Sequence, residues 1–146
     1  MKKLFCLLTF TIVSLAFSQQ KKSLLQVTLL EKSKAPLSTH THSYTYTVKN
    51  TSGKPIAFAI ETKQTDCLKK SSKMSVSVHS SSNNKRSNGS LSAHESETFT
   101  VELQRNHLTK LDTWSCLEIF AIDQQGRSIS NTIQLSQFIP DTNNFK

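Results

Sequence analysis

The stretch DTWSCLEIFAIDQQGRS, residues 112–128, decides how the rest of the chain is read. It holds a tryptophan, a cysteine two residues later, an apolar run broken by Glu118, and a turn containing Gly126. Side chains on a strand alternate between two faces. One face would carry Trp114, Cys116, Glu118, Phe120 and Ile122; the other would carry Leu117, Ile119 and Ala121. An unpaired buried carboxylate is costly, so Glu118 assigns the second face to the core. Trp114 and Phe120 are then expected on the outer face of a sheet, beside Ala57 and Ala59 of an earlier strand. A loop folded over that face, or a bulge turning Trp114 inward, would hide the same residues. An apolar outer face marks a partner surface. Tryptophan suits both protein contacts and stacking on sugars, so Trp114 and Phe120 are nominated as that surface.

The same period-2 alternation recurs outward from this stretch, and helical spacing is almost absent. Leu25, Val27 and Leu29 alternate with polar residues, as do Tyr44, Tyr46 and Val48. NTSGKP at 50–55 reads as a turn, with Gly53 available for positive φ. Ile56, Phe58 and Ile60 follow, then Met74, Val76 and Val78, then Phe99, Val101 and Leu103. Ile129, Ile133 and Leu135 end the set. With residues 114–122 this makes seven expected strands, and seven short strands predict an all-β two-sheet sandwich. Residues 79–95 are low in complexity and polar, and read as one long mobile loop, with 80–92 dispensable for folding. Lys85 and Arg86 at its tip form a second candidate contact surface. Residues 104–113 read as a crossover between sheets, with a helical turn at most.

The amino terminus reads as an export signal. Lys2 and Lys3 precede an apolar run from Leu4 to Phe17, and Ala16 and Ser18 supply small residues for cleavage after Ser18. The run is shorter than a membrane span. The expected organisation is a signal peptide at 1–18, a short extension at 19–23, a sandwich at 24–138 and a tail at 139–146, with no transmembrane segment after cleavage. Cys6 leaves with the signal. The remaining pair, Cys67 and Cys116, is an even count in an exported chain, which predicts a disulfide. The formal charge of the 146-residue chain is +8, yet the lysines are scattered and no aromatic residues are interleaved with them. That pattern, with export, excludes nucleic acid as the expected partner. Weak attraction to acidic polysaccharide or anionic envelope lipid is compatible with it.

Three pieces carry a resemblance: YTYTVKNTSGKPIAFAIE at 44–61, SETFTVELQ at 96–104 and WSCLEIFAIDQQGRSISNTIQL at 114–135. They resemble successive parts of immunoglobulin-like and fibronectin-type-III-like domains of exported bacterial proteins. The first is similar to the second strand, asparagine turn and third strand of such a domain. The last is similar to its final hairpin, with Ala121 before the turn and Gly126 within it. The signal-peptide style and the Asn/Lys/Ser-rich composition are similar to secreted proteins of Bacteroidota. The resemblance spans residues 24–138 and implies a single immunoglobulin-like sandwich with its third and sixth strands antiparallel neighbours. In that order Cys67 and Cys116 come close. Antibody domains differ, since their bridge joins the second and sixth strands.

No motif nominates catalysis or a cofactor. His40 and His42, two apart, would share one face of a strand and begin a metal site, but no spacing selects a third ligand from His79, His94, Asp66 or Glu95. Surface histidines at a strand end are the expectation. G-x-S-x-G, a P-loop and a dinucleotide fingerprint are absent from the sequence. The expected function is therefore a small non-catalytic binding or adhesion module without cofactor or metal. It would meet a protein or glycan partner in the periplasm or outside the cell. The alternatives are a periplasmic accessory protein that chaperones or assembles a surface polymer through a strand edge, and, third, a secreted enzyme.

Overall fold

The structure is a computed structural model and describes residues 23–67, 70–81 and 87–141. The signal-peptide region and the loop residues Lys85 and Arg86 lie outside the described residues. The described chain is all-β. Its strands are β1 (Leu25–Glu31), β2 (Thr41–Asn50), β3 (Ile56–Thr65), β4 (Ser75–Ser80), β5 (Asn88–Leu91), β6 (Ser96–Gln104), β7 (Thr113–Ile122) and β8 (Ile133–Ile139). They form two antiparallel four-stranded sheets, ordered β1-β2-β6-β4 and β5-β3-β7-β8. All-β patterning and the two-sheet sandwich are thus as expected from the alternation.

The layers meet through the inward-facing positions. Tyr44, Tyr46 and Val48 of β2 and Phe99, Val101 and Leu103 of β6 face Phe58 and Ile60 of β3 and Leu117, Ile119 and Ala121 of β7. Phe58 and Phe99 meet edge to face across the layers, with centroids 5.7 Å apart. The Tyr44 hydroxyl crosses the same gap and donates to Gln137 Oε1. Among the described residues the core runs from Leu25 of β1 to Ile139 of β8.

Four expectations are corrected. Eight strands are present among the described residues, where seven were expected. The eighth, β5, lies inside the supposed mobile loop of 79–95. It pairs with β3, and Leu91 is fully buried, so four residues of β-structure with one apolar anchor suffice when a sheet edge is available to receive them. β4 likewise continues through His79 and Ser80. Gly53 does not use a left-handed conformation: among the described residues those at positive φ are His94, Asp112 and Gly126. The 50–54 turn is instead held by Asn50, which is fully buried. Its Nδ2 donates to the carbonyls of Lys54 (2.8 Å), Leu91 (3.2 Å) and Ser92 (2.9 Å). Its Oδ1 accepts from the Ser52 N–H (2.9 Å) and hydroxyl (2.8 Å). Finally, His42 is not a surface residue. It is 1% exposed on the inner face of β2, with Nδ1 3.4 Å from Ser33 Oγ, while His40 precedes the strand and is exposed.

Candidate functional site

β7 presents its two faces as Glu118 required. Leu117, Ile119 and Ala121 are buried, and Trp114, Cys116, Glu118, Phe120 and Ile122 line the outer face. A regular register with β3 and β8 keeps them there: Cys116 opposes Thr65 and Ser136, Glu118 opposes Lys63 and Gln134, and Phe120 opposes Glu61. Glu118 thus lies across from a lysine in the register, on a face open to water.

Trp114 lies past the end of β3. Its N–H donates to the Lys70 carbonyl (2.9 Å), and its own carbonyl accepts from Ser72 N–H (2.8 Å). Residues 70–72 therefore extend the sheet beside it and do not cover its face. The indole packs against Phe138 of β8, with ring centroids 5.2 Å apart and planes tilted by 50°, and the residue is half-buried.

The expected disulfide is present. Cys67 and Cys116 are bonded, with Cα atoms 5.6 Å apart, because β3 and β7 run antiparallel and carry both cysteines to the same end. The bond lies on the outer face next to Trp114. Around it Thr65, Asp66, Trp114, Gln134 and Ser136 line a concavity of about 480 Å³. Its walls combine an indole, a carboxylate, an amide and hydroxyls, with the disulfide among them.

Of the expected neighbours, Ala59 lies diagonally beside Phe120, opposing Ile122, but neither Ala57 nor Ala59 lies beside Trp114, which stands at the opposite end of the sheet. With Asn88, Gly89 and Ile122 the two alanines border a second concavity of about 600 Å³. The small side chains leave that space open. Phe120 stands between the two concavities. Ending the last apolar run at Leu135 leaves out Ser136 and Phe138, and Gln134 lies within the run as a polar outward position that the alternation does not single out. The alternation Ile133, Leu135, Gln137, Ile139 continues the strand and puts Phe138 outside, a signal obscured by the polar Gln137, which is buried through its bond to Tyr44.

Two other groupings hold residue types that could carry chemistry. On the outer face of the first sheet, His79 Nε2 lies 3.0 Å from Ser77 Oγ and 3.5 Å from Glu102 Oε2. Both contacts use one nitrogen, whereas a Ser–His–carboxylate relay uses opposite nitrogens. The metal-ligand types His40 and Asp66 lie at one end of the sandwich and His94 and Glu95 at the other, with His42 turned into the core. Among the described residues no group of three or more His, Cys, Asp or Glu side chains is placed to hold a metal. No helix of the described residues is long and apolar enough to cross a membrane.

No protein-family model and no curated protein matches the chain. Among solved structures, a FixG-related protein from Vibrio parahaemolyticus has a similar fold. Its TM-score is 0.54 at 12% identity, covering 81% of this chain and 97% of that one. A conjugative transposon lipoprotein from Bacteroides eggerthii matches with a TM-score of 0.44 at 10% identity, covering 77% and 95%. At these identities the likeness to the first is one of fold alone.

Proposed function

We propose that the chain is an exported, non-catalytic binding module of immunoglobulin-like type. In this reading it meets a protein or glycan partner, at the cell envelope or outside the cell, through the outer face around Trp114. The type is supported by strand order. The sheet β1-β2-β6-β4 corresponds to A-B-E-D of an immunoglobulin constant arrangement, and β3-β7-β8 to C-F-G, with β5 added beside β3. The observation that carries the contact surface is Trp114 itself, half-buried at the rim of a mixed polar and apolar concavity on a rigid sheet. Aromatic anchors in such settings dominate binding energy.

Trp114→Ala tests the reading. The change should cost about 2 kcal/mol, between a surface substitution and a core truncation, because it removes the packing on Phe138. The variant should remain folded in a thermal unfolding curve. Its binding to envelope fractions of the host should fall at least about ten-fold, as for loss of an anchor, while Ser77→Ala on the opposite sheet leaves binding unchanged. Wild-type binding by folded Trp114→Ala would refute the surface.

A further inference from the structure

The connections 32–40, 70–74 and 105–110 meet at one end of the sandwich, where β2, β4 and β7 begin and β6 ends. Hydrogen bonds join them into one platform. Arg105 donates through its guanidinium to the Leu37 carbonyl (2.7 Å) and through its N–H to the His40 carbonyl (2.9 Å). The Thr109 hydroxyl donates to the Lys73 carbonyl (3.0 Å), and Lys110 N–H donates to Ser72 Oγ (2.7 Å).

This platform has an unusual surface. It carries Lys32, Lys34, Lys70, Lys73, Arg105 and Lys110; the three segments contain no acidic residue, and Glu31, Asp66, Asp112 and Asp141 border them. The nearest carboxylate on β1, Glu31, is paired with Lys34 at 2.5 Å. Among the described residues, the exposed large apolar side chains include Leu37 (54%) and Leu108 (70%) on this platform and Leu111 (46%) directly after it. The cross-loop bonds tie together the segments that carry Leu37 and Leu108.

We infer that this end of the sandwich docks on an anionic lipid bilayer. Leucines at loop tips gain by entering the acyl boundary, and lysines around them gain from the negative surface potential. A soluble polyanion would use the lysines and leave the leucines in water, so the pairing of the two features selects lipid. The platform adjoins the Trp114 surface through residues 70–72, but the inference rests on the loop tips at the end of the sandwich and not on the outer face of the second sheet.

Vesicle co-sedimentation of residues 19–146 tests it, with unfolding curves confirming that each variant is folded. The chain should pellet with vesicles of phosphatidylcholine and phosphatidylglycerol, and not with phosphatidylcholine alone. Lys73→Glu with Lys110→Glu should weaken binding at least about ten-fold. The charge-matched pair Lys49→Glu with Lys54→Glu, at the other end, should stay within about two-fold, because charges beyond a Debye length are screened. Leu108→Ser leaves the charge untouched and should weaken binding by about ten-fold, the worth of a partly inserted leucine. Absence of pelleting, equal losses from the two lysine pairs, or full binding by Leu108→Ser would each overturn the inference.

Discussion

Asn50→Asp replaces one atom and should be among the most damaging single changes to this fold. The Asn50 amide nitrogen faces three carbonyls, of Lys54, Leu91 and Ser92, at 2.8, 3.2 and 2.9 Å. Aspartate would place an oxygen there. Two N–H donors are lost at about 1 kcal/mol each, and stranding the buried Leu91 carbonyl adds about 1–3 kcal/mol. The total is about 3–5 kcal/mol at neutral pH. For a domain of this size that corresponds to a fall in Tm of about 12–20 °C. The variant also carries an internal control. A carboxylate pressed against carbonyl oxygens has its folded pKa raised above the unfolded value of about 3.9. Protonation then favours the folded state, so the variant should regain stability as pH falls through that raised pKa, with the gain complete below the unfolded one. Asn50→Ala has no such group and should show no such recovery. Calorimetry or denaturant titration across pH reads both effects. A neutral-pH loss below about 0.5 kcal/mol, the range of surface changes, would refute the role assigned to Asn50.

The disulfide closes a span of 49 residues. Cys67→Ser with Cys116→Ser should therefore destabilise by roughly 4 kcal/mol in the chain-entropy model, read as a lower denaturant midpoint than the oxidised wild type. Leu91→Ala should cost about 2–5 kcal/mol because its side chain is core; a near-neutral result would return residues 88–91 to the loop. His42 has its pKa held below the ordinary 6.5, first by burial and then by the nearby Arg105 charge. A depressed histidine pKa means that the unfolded chain takes up the proton first. Stability should be whole above about pH 6.5 and fall as pH drops from there toward the folded pKa, and His42→Gln should remove that slope. Amino-terminal sequencing of protein from the native host should begin at Gln19, and a chain that starts at Met1 and remains in the membrane would refute export with cleavage after Ser18.

The sequence by itself determined seven of the eight strands among the described residues and which side of them is apolar. Alternation is a local property of a pleated backbone, so Leu117, Ile119 and Ala121 could be assigned to the core from Glu118 alone. Cysteine count predicted the bond, and the antiparallel neighbours implied by the immunoglobulin-like resemblance brought the pair together. Long-range partners are another matter. β5 has a polar sequence with little intrinsic reason to be a strand, and it becomes one because β3 offers an unpaired edge and Leu91 a place in the core. Asn50 and Gln137 are polar by type yet buried, because carbonyls and a tyrosine hydroxyl from distant segments satisfy them. His42 reads as a surface residue until the fold places it on the inner face of β2. The Trp114 concavity and the lysine–leucine platform each collect residues from several segments of the chain. Only packing brings such segments together, because a side chain's partners across a sandwich are chosen by register and sheet order, which no window of neighbouring residues contains.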